Sequence, residues 1–124
     1  STFIKNLEKD LTKIMSNAVK SDIFIMESFF NIFKTGSGIT AHDHISSFDK
    51  AQNLFNQKYS LTYYLSIGDQ NSKEPGILKL QNPHDEILPS EGTIVIFPAH
   101  RKHSAIYEGK KDRVMVGVNF YSLT

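Results

Sequence analysis

Five histidines, at positions 42, 44, 84, 100 and 103, are the residues of this 124-residue chain best suited to chemistry. Two of them stand in Thr40-Ala41-His42-Asp43-His44. Residues two apart on an extended strand project to the same face. His42 and His44 can therefore point together into a barrel and share one ion, with Asp43 turned to the other side. His103 follows the run Thr93–Phe97 and the turn Pro98–Lys102. In two-sheet β-folds a late strand commonly lies beside an early one, so His103 can complete a three-ligand facial set. Imidazole suits iron, zinc, copper and nickel, and three ligands leave positions open for substrate or oxygen. The plain alternative is that these are surface or hydrogen-bonding histidines. His84, in Asn82-Pro83-His84-Asp85, sits among turn residues and reads as a solvated loop residue. His100 is the weaker candidate, either supporting the site or touching substrate.

Arg113 opens the final apolar run, Arg113-Val114-Met115-Val116. Its charge cannot be shed by deprotonation, so inside a β-core it demands a partner. That partner is either a carboxylate of the chain (Asp112, Glu108 or one on a neighbouring strand) or a carboxylate-bearing ligand held in bidentate fashion. Tyr63-Tyr64 fall in a strand, which turns one phenol inward and the other outward. An inward phenol can donate to a ligand carboxylate or simply fill the core with its hydroxyl at the rim.

These residues need elements to position them. Phe3, Leu7, Leu11, Ile14, Met15 and Ala18 recur at helical spacing, which predicts an amphipathic helix over 3–19 lying on one face of a sheet. Runs rich in Ile, Phe, Tyr and Val predict strands at 23–34, 59–67, 76–81, 93–97, 104–107 and 113–121. Turns are expected at 35–38, 82–92 and 109–112, and a loop with a helical turn at 45–57. About seven short strands after one helix predict a mainly β sandwich or barrel, with a β core over about 23–122 and one domain spanning 1–124.

Composition narrows the function classes. The chain has 14 basic and 13 acidic side chains, a net charge of +1 and no long run of one sign, which argues against a nucleic-acid partner. With no cysteine there are no disulfides, thiolate zinc sites or cysteine nucleophiles. Hydrophobic residues at 40% and charged residues at 22% match a folded domain rather than a disordered one. No apolar run approaches the ~20 residues that span a bilayer, and Ser1-Thr2-Phe3 opens no signal peptide. The expectation is a cytoplasmic protein acting on a small-molecule or peptide substrate, without nucleic-acid or membrane partners.

Taken together, these pieces resemble the Fe(II)- and 2-oxoglutarate-dependent dioxygenases, in particular the prolyl 4-hydroxylase-like branch. The resemblance runs through His42-Asp43-His44, Tyr63-Tyr64-Leu65, Gly76-Ile77-Leu78-Lys79-Leu80, Leu88-Pro89-Ser90-Glu91-Gly92, Ile94-Val95-Ile96-Phe97, His103 and Arg113, covering roughly residues 29–122. It implies a double-stranded β-helix, or jelly roll. It implies iron held by the proximal and distal histidines, here His42, His44 and His103, and 2-oxoglutarate anchored by Arg113 with help from Tyr64. The implied reaction hydroxylates a substrate carbon, with a prolyl or other amino-acid side chain as the candidate, while 2-oxoglutarate is decarboxylated to succinate. One departure stands out: the family pattern has a carboxylate two residues after the first histidine, and this chain has His44. Three histidines then hold the metal, or a bulge lets Asp43 ligate, or Asp49 reaches in. Loops 45–57 and 68–75 are expected to line the mouth and set specificity.

A cupin resembles the chain as well, sharing the jelly roll. Gly36, five residues, then His42-Asp43-His44 fit the first cupin motif, and Gly92, Pro98 and His103 fit the spacing of the second. That likeness implies a three-histidine dioxygenase, an isomerase or a small-ligand binder. A non-catalytic module with a decayed metal site is the third possibility, and the missing carboxylate is the feature behind it.

Overall fold

The structure, a computed structural model, describes residues 2–124. Its elements run α1 (Thr2–Val19), β1 (Ile23–Phe33), β2 (Ser37–His42), α2 (Ser47–Ala51), β3 (Lys58–Ser66), β4 (Leu78–Leu80), β5 (Asp85–Ile87), β6 (Ile94–Pro98), β7 (His103–Tyr107) and β8 (Arg113–Ser122). Two four-stranded antiparallel sheets form, one ordered β1-β8-β3-β6 and the other β2-β7-β4-β5. This is the jelly-roll, cupin-like arrangement with a leading helix that the sequence pattern predicts.

Helix α1 forms because Leu7, Leu11, Met15 and Val19 fall four apart and make one apolar stripe. That stripe lies on the outer face of the first sheet, against Leu61, Val116, Val118 and Phe120. Met15 is fully buried there, and burying a side chain of its kind is worth about 1.5–3 kcal/mol. The helix stops where Lys20 takes a left-handed φ of 54° and the Ser21 N–H reaches back to the Ser16 carbonyl at 3.2 Å, the bond that closes many helix ends.

Strand β8 shows how one strand serves two cores. Val116, Val118 and Phe120 turn outward under α1, while Arg113, Met115, Gly117 and Asn119 turn inward to a cavity between the sheets. Tyr63 likewise faces the helix-side core and Tyr64 the interior, where it packs with Phe33, Tyr107 and Met115.

The structure departs from the sequence reading in three places. The described residues form eight strands, the unexpected one being β5 inside the segment read as turns. Its Asp85-Glu86-Ile87 is short, polar and flanked by prolines, and pairing with β4 is what extends it. Strand β2 begins at Ser37, within the residues read as a turn, because pairing with β7 overrides the local glycine signal. The same strand ends at His42, so His44 is not on it.

Candidate metal centre and its cavity

His42, the last residue of β2, stands opposite His103, the first residue of β7, in the β2–β7 ladder. Their rings lie 4.4 Å apart between centroids. His44 reaches the same point from the loop beyond β2. Its backbone N–H donates to the Ala99 carbonyl at 2.9 Å, and the Ala99 N–H donates to the Lys58 carbonyl at 3.0 Å, so a short backbone ladder ties the loop to β3. One ring nitrogen from each of the three histidines falls within 4.8 Å of the others.

The donor set fits a metal ion. Nε2 of His44 and Nε2 of His103 are 3.3 Å apart. Imidazole nitrogens bound to one ion at about 2.1 Å stand ~3–3.4 Å from each other, so this spacing suits a shared cation. His42 Nδ1 lies 2.8 Å from the Thr40 carbonyl, which can only accept, so Nδ1 carries a proton and Nε2 is the ring nitrogen left for a metal. Such an outer hydrogen bond fixes a ligating imidazole in the right tautomer. Burial, followed by the neighbouring His42 and His44 rings, lowers the pKa of His103 to about 4. Burial and His42 also lower that of His44. Both rings are thus neutral at neutral pH, as ligation requires.

Neither aspartate fills the place of the missing carboxylate. Asp43 is exposed and its Oδ1 accepts from the Ile45 N–H at 3.0 Å in a local turn. Asp49 is fully buried elsewhere. It pairs with Lys58 at 2.8 Å, accepts from Tyr121 Oη at 2.5 Å and caps α2 through Ser46. Burial pushes its pKa up, but the hydrogen bonds from Lys58, Ser46 and Tyr121 win and hold it at about 2. His100 stacks on Phe55 with centroids 4.7 Å apart, and His84 pairs with Glu86 at 2.7 Å on the exposed β5 side.

The three histidines open onto a cavity of about 370 Å3 between the sheets, walled in part by Phe33, Tyr64, Leu78, Phe97, Arg113 and Met115. Arg113 is buried to 1% exposure. Its Nε donates to the Ile67 carbonyl at 3.1 Å, Nη1 to Gly76 at 2.8 Å and Nη2 to Pro75 at 2.7 Å. Three of five N–H donors are thus committed to neutral acceptors. The Tyr107 and Tyr64 rings flank the guanidinium at 4.8 and 5.6 Å. Gly76 makes this cage possible, since it holds φ +87° and a Cβ there would overlap the guanidinium. Asp112, the nearest carboxylate in sequence, pairs instead with Lys34 at 2.8 Å. Among the described residues no carboxylate forms an ion pair with Arg113, so its buried charge has no counter-ion. The residues therefore also suit an anionic ligand in the cavity.

Loops 45–57 and 68–75 lend no residue to the cavity lining, whose residues come chiefly from strands of both sheets. Sequence reasoning missed Ser60 and Asn119, which line the cavity and are joined by a 2.8 Å hydrogen bond. Their alternation in β3 and β8 marks them as inward-facing, but nothing in their type marks them as partners.

No protein-family model matches the chain, and no curated protein matches it. Solved structures do. A viral collagen prolyl hydroxylase from Paramecium Bursaria Chlorella virus-1, in its 2-oxoglutarate complex, matches with a TM-score of 0.76 at 15% identity, over 100% of this chain and 75% of its own. An oxidoreductase of the 2OG-Fe(II) oxygenase family from Burkholderia pseudomallei matches with a TM-score of 0.66 at 15% identity, over 89% of this chain and 49% of its own. A cupin protein from Bacteroides fragilis matches with a TM-score of 0.51 at 12% identity, over 84% of this chain and 79% of its own. The chain thus spans about half the length of the Burkholderia oxidoreductase. These likenesses establish the fold, a double-stranded β-helix of the kind found in 2-oxoglutarate oxygenases and cupins. No helix among the described residues is long and apolar enough to cross a membrane.

Proposed function

We propose that this chain carries the core of an Fe(II)- and 2-oxoglutarate-dependent oxygenase that hydroxylates a small-molecule or peptide substrate, with His42, His44 and His103 as metal ligands. The observation that carries this reading is the buried Arg113 guanidinium, with no counter-ion among the described residues, on the wall of the cavity that the three histidines face. A metal site alone does not call for such a charge, whereas a dicarboxylate cosubstrate does. This favours the oxygenase over the cupin reading.

Iron and 2-oxoglutarate together would supply the oxidising power, with 2-oxoglutarate leaving as succinate. The chain's own residues supply position and environment. The three imidazoles converge on one point, and burial keeps those of His44 and His103 neutral. Arg113, pre-oriented by its carbonyl cage and with N–H donors still uncommitted, binds the far carboxylate of the cosubstrate. Burial raises the pKa of Tyr64, so its phenol stays protonated and serves as a donor to the same carboxylate. Phe33, Leu78, Phe97 and Met115 keep the cavity apolar, which strengthens these charged contacts and limits water. His44 in place of a carboxylate leaves the site one negative charge short of the usual triad.

The test is succinate formation. The chain incubated with Fe(II), 2-oxoglutarate and oxygen should convert 2-oxoglutarate to succinate slowly even without prime substrate, and His103→Ala should not. Succinate absent from the parent chain, or equal in both, would remove the proposal.

A further inference from the structure

Strand β1 lies at the edge of its sheet, and its sequence Ile23-Phe24-Ile25-Met26-Glu27-Ser28-Phe29 hides a change of phase. Ile25 stands opposite Phe120, and both face the core under α1. In a regular ladder Glu27 would come two residues later on that same apolar face, opposite Val118. Instead the register shifts between Ile25 and Glu27, with Met26 as the extra residue, and Glu27 stands opposite Asn119. A one-residue slip turns every following side chain to the other face, and bulges of this kind re-aim side chains beside active sites. Glu27 is thereby turned to the cavity side.

Its surroundings hold it there. Asn119 is 2% exposed, lines the cavity and donates from Nδ2 to Glu27 Oε1 at 2.7 Å. The Asn119 side chain is in turn fixed by Ser60, whose hydroxyl donates to Oδ1 at 2.8 Å. The buried pair orients the carboxylate while Glu27 itself remains exposed at the rim. Among the described residues no lysine, arginine or histidine forms an ion pair with it.

We propose that Glu27 is the specificity residue of this cavity: its carboxylate, aimed by the β1 bulge and the Ser60–Asn119 pair, receives an ammonium or guanidinium group of the prime substrate. The description of that ligand as a substrate rests on the oxygenase reading, but the cation site itself does not. A carboxylate held by one neutral donor keeps acceptor capacity for a second, charged donor. At the rim it would also place the cationic group away from the three imidazoles.

The test uses the full chain and two probes that share a four-carbon side chain and differ in the terminal ammonium, N-acetyl-lysine methylamide and N-acetyl-norleucine methylamide. Binding is followed by amide proton–nitrogen NMR, without added metal or cosubstrate. The lysine probe should bind about tenfold or more tightly than the norleucine probe, as expected for a hydrogen bond to a charged group, with the largest shifts at Glu27 and Asn119. Glu27→Gln keeps an oxygen acceptor for Asn119 and so keeps the fold, yet should abolish the preference. Equal binding of the two probes, shifts confined to another surface, or a preference that survives Glu27→Gln would overturn the proposal. The outcome is separate from that of the oxygenase reading. A lysine preference in a chain that makes no succinate leaves the Glu27 site standing and removes the enzyme, and the reverse result does the opposite.

Discussion

His42 and His103 face each other across the β2–β7 ladder although four strands separate them in the sequence, with ring centroids 4.4 Å apart. The backbone pairing itself therefore sets two of the three proposed ligands, and the third follows from the His44–Ala99 hydrogen bond. Losing His103 should leave the ladder intact and remove one of the three donors. His103→Ala is expected to weaken Fe(II) binding by more than the about 10–100-fold that loss of an outer partner costs. Anaerobic calorimetric titration checks this, with circular dichroism to confirm the fold. Retained stoichiometric iron would contradict the ligand assignment.

Arg113 has two jobs, and its removal should show both. Arg113→Met deprives the Ile67, Pro75 and Gly76 carbonyls of their donors, and a buried group left unsatisfied costs about 1–3 kcal/mol. The melting temperature should fall. Independently, 2-oxoglutarate affinity in the metal-loaded protein should drop about 10–100-fold, while metal affinity is unchanged. A folded variant that binds 2-oxoglutarate as before would refute the anchoring role.

Gly76 and Gly92 separate backbone strain from contact with Arg113. Both have positive φ, +87° and +84°, but a Cβ on Gly92 would meet nothing within 4 Å, whereas one on Gly76 would overlap the guanidinium. Gly92→Ala should cost about 1–2 kcal/mol from the left-handed backbone alone. Gly76→Ala should cost more and should also weaken 2-oxoglutarate binding. Chemical denaturation of the two variants measures the difference, and equal losses would mean the cage is not tightly packed.

The sequence made the helix and the apolar strands legible because their periodicities are set by burial. Leu7, Leu11 and Met15 name the face of α1, and Tyr63-Tyr64 divide between the two cores as strand alternation requires. The three histidines were legible by type and spacing, but the reason for their convergence was only half right. His44 is aimed by a hydrogen bond to Ala99 after β2 has ended, not by strand alternation. Asp49 looked like a spare ligand because it lies near the histidines in sequence, whereas Lys58 and Tyr121 claim it in space. The carbonyl cage of Arg113 was invisible, since backbone acceptors carry no sequence label. The β1 bulge was invisible for a related reason: it is a property of how β1 pairs with β8, and Ile-Met-Glu reads as ordinary strand.

The Asp49–Lys58 pair should contribute to acid stability. The folded pKa of Asp49, about 2, lies below its ordinary 3.8, so its contribution is fully present above pH ~4 and is lost as pH falls through about 2. Urea denaturation across pH 2–5 should show this loss, and Asp49→Asn should flatten it. Lys58→Met strands a buried carboxylate and should cost about 3–5 kcal/mol at neutral pH. A Lys58→Met protein of parental stability would show that the pair is not coupled.

The most direct measurement is an anaerobic titration of the Fe(II)-loaded chain with 2-oxoglutarate, read by visible absorption. If three imidazoles and Arg113 hold metal and cosubstrate in one cavity, a metal-to-ligand charge-transfer band grows and saturates at one equivalent. Arg113→Met then requires far more 2-oxoglutarate to reach the same band. Iron uptake with no band at any 2-oxoglutarate concentration would contradict the oxygenase proposal, and failure to take up iron at all would contradict the metal centre itself.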